Sequence, residues 1–134
     1  MQVEELDVFK LSHELTLKTY KITTSFPAAE KYGLTSQMRR SASSVPANLM
    51  EGGHRFSKNE YKHFVSISRG SSGEMKYHLL LSKDLGFIKE DVYFEMKEGY
   101  ERISMMLTKL YASLKYRARI TDTEHEFSPD VEGM

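Results

Sequence analysis

Residues 32–88, YGLTSQMRRSASSVPANLMEGGHRFSKNEYKHFVSISRGSSGEMKYHLLLSKDLGFI, join two helical patterns through Gly52-Gly53, and their reading decides the fold. In the first pattern Met38, Ala42, Val45 and Leu49 recur at spacings of 4, 3 and 4, one apolar stripe of a helix that Thr35 or Ser36 is placed to cap. Arg39 and Arg40 point away from that stripe. Pro46 removes the N–H that would bond the Ala42 carbonyl, so a bend or break is expected there, with Ser43 and Ser44 near enough to help satisfy the freed backbone. Gly52 and Gly53 supply positive-φ freedom for a turn, and Ser57-Lys58-Asn59-Glu60 reads as a capping box at the start of the next helix. That helix is predicted to run over residues 58–85, about 42 Å, and to close on Gly86 as a C-terminal glycine cap.

Its seam is Tyr61, Phe64, Ser68, Ser71, Met75, His78, Ser82 and Leu85, alternating spacings of 3 and 4 in which serines stand where a simple coiled coil has leucines. Ser66, Gly70, Gly73 and Tyr77 form a second face of small residues and one aromatic, which predicts a further neighbour by helix packing or self-association. Working outward, Val8, Leu11, Leu15, Ile22 and Phe26 stripe an earlier helix ended by Pro27, with Leu6, Phe9, Leu17 and Tyr20 beside them. After Phe87-Ile88 a last helix begins near Glu90-Asp91, and Met96, Tyr100, Ile103, Leu107, Leu110 and Leu114 give the clearest bundle seam in the chain. No strand series or internal repeat interrupts this, so the fold class is all-α: an antiparallel up-and-down four-helix bundle over residues 1–120, followed by an acidic, flexible tail at 121–134.

A chain of 134 residues is one domain in size, and its 40% hydrophobic and 28% charged content belongs to a soluble protein. No apolar run approaches the roughly 20 residues of a membrane span. The N-terminal MQVEELDVFK is acidic where a secretory signal is basic, and cysteine is absent; cytoplasmic residence is expected. The net charge of zero hides segregation, with −2 over residues 1–30, +5 over 31–80, +2 over 81–120 and −5 over the tail. A polyanion partner is therefore permitted, and the tail would compete with it for the basic surface.

The order Tyr32-Gly33-Leu34-Thr35, Arg39-Arg40, Val45-Pro46-Ala47-Asn48, Glu51-Gly52, Arg55-Phe56-Ser57 and Asp84-Leu85-Gly86-Phe87-Ile88 closely resembles the 23S rRNA intervening-sequence proteins, also labelled S23 ribosomal proteins. The resemblance spans about residues 5–116 and implies a four-helix bundle assembling as a ring-shaped homopentamer with no established enzymatic activity. Accessory proteins of diversity-generating retroelements are more distantly similar; they too are pentameric bundles and bind a reverse transcriptase and nucleic acid. The neutral charge and acidic tail of this chain depart from that branch.

Enzymatic readings find little support. Glu51-x-x-His54 and Glu60-x-x-His63 have the spacing of dinuclear carboxylate sites in helical bundles, but His54 follows two glycines and Glu60 already has a capping role, so no metal or other cofactor is expected. The serines lack a nucleophile elbow, and the glycines of RGSSGE lie inside a helical pattern rather than in a phosphate loop. What remains is a non-catalytic oligomer associated with RNA, Arg39, Arg40, Arg55, Lys58 and Lys62 meeting phosphates around the inter-helix turn and Tyr61 or Phe56 stacking on an unpaired base. Core packing competes with stacking for Tyr61, and an intersubunit salt bridge competes with RNA for Arg39 and Arg40. The alternative is a protein-interaction scaffold, an accessory subunit of a reverse transcriptase or another nucleic-acid enzyme.

Overall fold

The computed structural model describes residues 2–124. Four helices, α1 (Asp7–Thr23), α2 (Leu34–Gly53), α3 (Lys58–Asp84) and α4 (Glu90–Glu124), are joined by short connections, with single 3-10 turns at Val3–Glu5 and Ala28–Glu30. Each helix packs on its sequence neighbours, and α1 closes the ring against α4, so that α1 stands diagonal to α3 and α2 to α4. Paired contacts run in opposite chain directions at each interface, Thr16 with Ala42 and Thr23 with Arg39, Ser44 with Ser71 and Met38 with Ser82, Ser72 with Ser104 and Arg69 with Thr108, and Lys18 with Glu95 and Leu15 beside Gly99, which makes every adjacent pair antiparallel. The last helix extends past the expected boundary at residue 120, and residues 125–134, most of the expected tail, lie outside the described residues.

The core follows the predicted stripes closely in α2 and α4: Met38, Ala42, Val45, Leu49, Met96, Tyr100, Ile103, Leu107 and Leu114 are all buried. In α1 the outcome differs. Leu17 and Tyr20 are 58% and 45% exposed, while Ser12, Thr16, Thr19 and Thr23 line the interior. Each of these hydroxyls donates to a carbonyl one turn back in its own helix, so burial leaves no donor orphaned and the small side chains let α1 lie close to its neighbours.

Two expectations about α2 are corrected. Thr35 and Ser36 do not cap it: Gly33 is the N-cap residue, and the carboxylate of Glu30 accepts from the Leu34 N–H at 3.0 Å, with Thr35 buried in the first turn. Pro46 does not break the helix, which continues to Gly53. The carbonyl of Ala42 that the proline leaves without its helical donor lies 3.1 Å from the Thr16 hydroxyl, whose single proton it shares with the nearer Ser12 carbonyl at 2.7 Å, so its partner comes from α1 rather than from Ser43 or Ser44.

Gly52 and Gly53 end α2 without positive φ and serve close approach instead: a Cβ on Gly52 would stand 2.8 Å from Cβ of Phe64, and one on Gly53 would strike Val3. At the far end the expected cap forms. Gly86, at φ 79°, gives its N–H to Lys83 while the Phe87 N–H reaches Ser82 at 2.8 Å, a Schellman motif that closes α3. Phe87 then packs on Phe26, pinning the α3–α4 connection to the α1–α2 connection.

The serine seam of α3 bonds to both neighbours. Ser68 donates to the Val45 carbonyl and Ser71 pairs with Ser44 on α2, while Ser72 donates to the Tyr100 carbonyl and pairs with Ser104 on α4. Tyr61 and Phe64 are partly buried against the end of α2, and Leu85 is exposed.

Candidate nucleic-acid interface

The turn between α2 and α3 is built by the C-terminal turn of α2, where the His54 and Arg55 amides bond back to Glu51 and Gly52, and by Ser57, whose hydroxyl accepts from the Glu60 N–H at 3.0 Å. Only that half of the predicted capping box appears among the described hydrogen bonds. Between these anchors Phe56 stands 90% exposed, flanked by Arg55 and Lys58. Arg55 pairs with Glu51 at 2.6 Å and lies over the Phe64 ring at 4.7 Å, which fixes its stem at the surface of the turn. One turn into α3, Lys62 lies 5.8 Å from the centre of the Tyr111 ring. Tyr61 turns inward, and burial raises its phenol above the ordinary value of 10.0. Of the two aromatic candidates, Phe56 is therefore the one presented to solvent.

Arg39 and Arg40 do not join this cluster. Arg40 precedes Arg55 by 15 residues, mostly along one helix, which separates the two groups by roughly 20 Å. Arg39 is occupied within the chain: its Nε donates to Thr23 at 2.9 Å, a terminal nitrogen reaches the Tyr20 carbonyl at 3.3 Å, and the guanidinium lies 4.7 Å from the Tyr20 ring centre. It caps the last turn of α1, where carbonyls lack helical partners. Arg40 is exposed and lines an open polar groove of about 430 Å³ between α2 and α3, together with Gln37, Ser41, Ser44, Ser71 and Glu74. Behind it His78 is 5% exposed with neither ring nitrogen in hydrogen-bond geometry, its Nε2 3.5 Å from Glu74.

Ser66, Gly70, Gly73 and Tyr77 are all exposed, and a Cβ placed on either glycine would meet nothing within 4 Å. With Ile67 and Leu80 they make an uncharged strip along the outside of α3, so no helix of the same chain is the neighbour predicted for this face. The two Glu-x-x-His pairs lie exposed around the turn, with His54 Nδ1 at 2.9 Å from the Met50 carbonyl and Glu51 engaged by Arg55. No group of three or more metal-ligating side chains occurs among the described residues. None of the helices there is long and apolar enough to cross a membrane.

Beyond the turn, Lys62 also begins a row of cations along α3. Lys62, Arg69, Lys76 and Lys83 recur at intervals of seven along α3, which places them on one edge, against α4. Their periodicity was visible in the sequence, although α4 as their common neighbour was not.

These elements define an up-and-down four-helix bundle with an exposed aromatic and basic turn at one end. The family model for 23S rRNA-intervening sequence proteins matches residues 4–109, and the chain belongs to that family. A similar solved structure is the crystal structure of a protein with unknown function from the S23 ribosomal protein family of Bacteroides thetaiotaomicron VPI-5482; it is 19% identical, covers 78% of this chain and 95% of its own, and superposes with a TM-score of 0.72. No curated protein matches the chain.

Proposed function

We propose that this protein is a non-catalytic, self-associating bundle that contacts RNA through the α2–α3 turn. The observation that carries the reading is Phe56, 90% exposed among Arg55, Lys58 and Lys62. An isolated large aromatic gains nothing from water, whereas beside cations it offers a base a stacking surface while the cations hold the flanking phosphates. Arg39, held on the end of α1, is left out of the contact, and Arg40 belongs to a different surface. A ring of copies, a pentamer on the family resemblance, would repeat the turn and multiply modest contacts through avidity, which is how a neutral chain in a reducing cytoplasm could hold a polyanion. The uncharged outer strip of α3 supplies a face for such self-association, because the bare Gly70 and Gly73 backbone allows another helix to approach closely.

The test is fluorescence anisotropy with labelled RNA at low ionic strength, comparing wild type with the Arg55→Glu, Lys58→Glu, Lys62→Glu triple variant and monitoring mass by light scattering. Loss of RNA association with unchanged mass is expected; equal binding by both proteins overturns the turn as the contact. The same α3 strip favours a second reading, a scaffold that docks a nucleic-acid enzyme such as a reverse transcriptase and needs no RNA affinity of its own. Wild type that ignores RNA at low salt yet retains its assembly supports that alternative.

A further inference from the structure

We infer that the groove between α3 and α4 is a binding track for single-stranded RNA continuing from the α2–α3 turn, an assignment that rests on the RNA reading above and names the strand type and path. Two open cavities lie along this groove, one of about 240 Å³ bounded by Val65, Arg69, Thr108, Tyr111 and Ser66, which stands where the groove meets the outer strip of α3, the other of about 560 Å³ bounded by Arg69, Lys76, Glu101, Met105 and Lys109 among others. They share Arg69 and Thr108 and so lie next to each other along the groove. Lys62, above the Tyr111 ring, joins its lower end to the turn that carries Phe56. From Lys62 to Lys76 the cations span 14 residues of helix, roughly 21 Å.

The side chains are arranged for an anionic chain. Arg69 donates through Nε to Thr108 at 2.8 Å, which orients its guanidinium and leaves the two terminal nitrogens for a phosphate. Arg69, Lys76 and Lys109 take part in no ion pair among the described residues. One carboxylate, Glu101, lies among them, and it is 3.9 Å from Lys97 on its own helix, so the lining keeps an excess of positive charge. Lys83 is divided between Asp84 at 3.6 Å and the Tyr93 ring at 4.8 Å and is not counted as a contact.

Strand type follows from what lies between the cations. Phe56, Tyr111 and Met105 are exposed along the path, offering apolar and aromatic surface to bases. A duplex keeps its bases stacked on each other and presents phosphate and ribose, for which these side chains have no use; an unpaired strand can stack on them while its phosphates meet Lys62, Arg69, Lys76 and Lys109.

Six contacts on a single strand, from Arg55, Lys58 and Lys62 at the turn and Arg69, Lys76 and Lys109 in the groove, correspond to a slope of about −4.2 in log Kobs against log salt. Anisotropy titrations of the full-length protein with labelled oligouridylate and with an RNA duplex of equal length, over a series of salt concentrations, test the track. The expected result is preference for the single strand with that slope, and a slope of about −2.8 for the Arg69→Gln, Lys76→Gln variant. Lys76→Gln alone, at a position outside the core, provides an intermediate variant should the double substitution disturb folding, and circular dichroism verifies the helices. Equal binding of duplex and single strand overturns the strand assignment. Binding unaffected by Arg69→Gln, Lys76→Gln but abolished by Arg55→Glu, Lys58→Glu, Lys62→Glu overturns the groove and leaves the turn in place. Absence of binding to either RNA at low salt removes the RNA reading and this one with it.

Discussion

Tyr100 shows what a single residue costs and contributes in this bundle. It is fully buried on α4, its hydroxyl has no partner in bonding geometry, and burial pushes its ionisation above the ordinary value of 10.0 while the nearby Thr19 hydroxyl opposes the shift. The phenol must therefore stay protonated in the folded state. Below pH 10 both states hold that proton and stability is unaffected; as pH rises beyond 10 the unfolded state loses it first, so stability falls. Urea titrations between pH 8 and 11 should show a downward slope that becomes shallower in Tyr100→Phe, with stability at neutral pH changed by no more than about 1 kcal/mol because no hydrogen bond is lost. An unchanged alkaline slope in Tyr100→Phe would contradict this assignment. At this scale the sequence was readable wherever packing follows hydrophobicity, as at Met38, Val45 and Ile103. It misled at Thr16, Thr19 and Leu17, because a threonine that bonds its own helix can be buried at little cost and a leucine can remain outside. The role of Arg39 was hidden for another reason: its partners on α1 are 16 and 19 positions away.

Among the elements, α2 depends most on its neighbours. A proline inside a helix ordinarily costs about 3 kcal/mol and kinks it, yet Pro46 lies buried in a helix that runs on through it, with the Ala42 carbonyl answered from α1. Thr16→Val keeps the shape and removes the donor, so it should destabilise the protein by about 1–3 kcal/mol. Pro46→Ala restores a backbone donor to the same carbonyl and should shrink the cost of Thr16→Val. A double-mutant cycle in denaturant measures this coupling, and strict additivity would show that the two sites act independently. Sequence reading located the proline and the carbonyl it frees but could not name Thr16, whose approach depends on how α1 packs. Gly86 was legible because a C-terminal glycine cap is local chemistry; Gly52-Gly53 was misjudged because the same residue type also permits close packing against Phe64 and Val3.

For the whole molecule, the unoccupied side of α3 and the cationic turn have to be explained together. Gly70 and Gly73 have open space beside them, so within one chain Gly70→Ala and Gly73→Ala should each stabilise the helix by up to about 1 kcal/mol. If a second copy covers the strip, Gly73→Leu should lower the mass seen by light scattering while leaving the helical signal intact; an unchanged assembly would place the contact on another face. The overall architecture and the basic turn could be read from the sequence because they follow from helical period and local caps. The separation of Arg40 from Arg55, and the single edge shared by Lys62, Arg69 and Lys76, required the helices to be placed. Photo-crosslinking of the full-length wild type to 4-thiouridine-containing RNA, with the crosslinked peptides identified by mass spectrometry, tests the central claim most directly. The predicted crosslink falls on Phe56 and its neighbours in the α2–α3 turn; crosslinks confined to other surfaces, or none at low ionic strength, would contradict it.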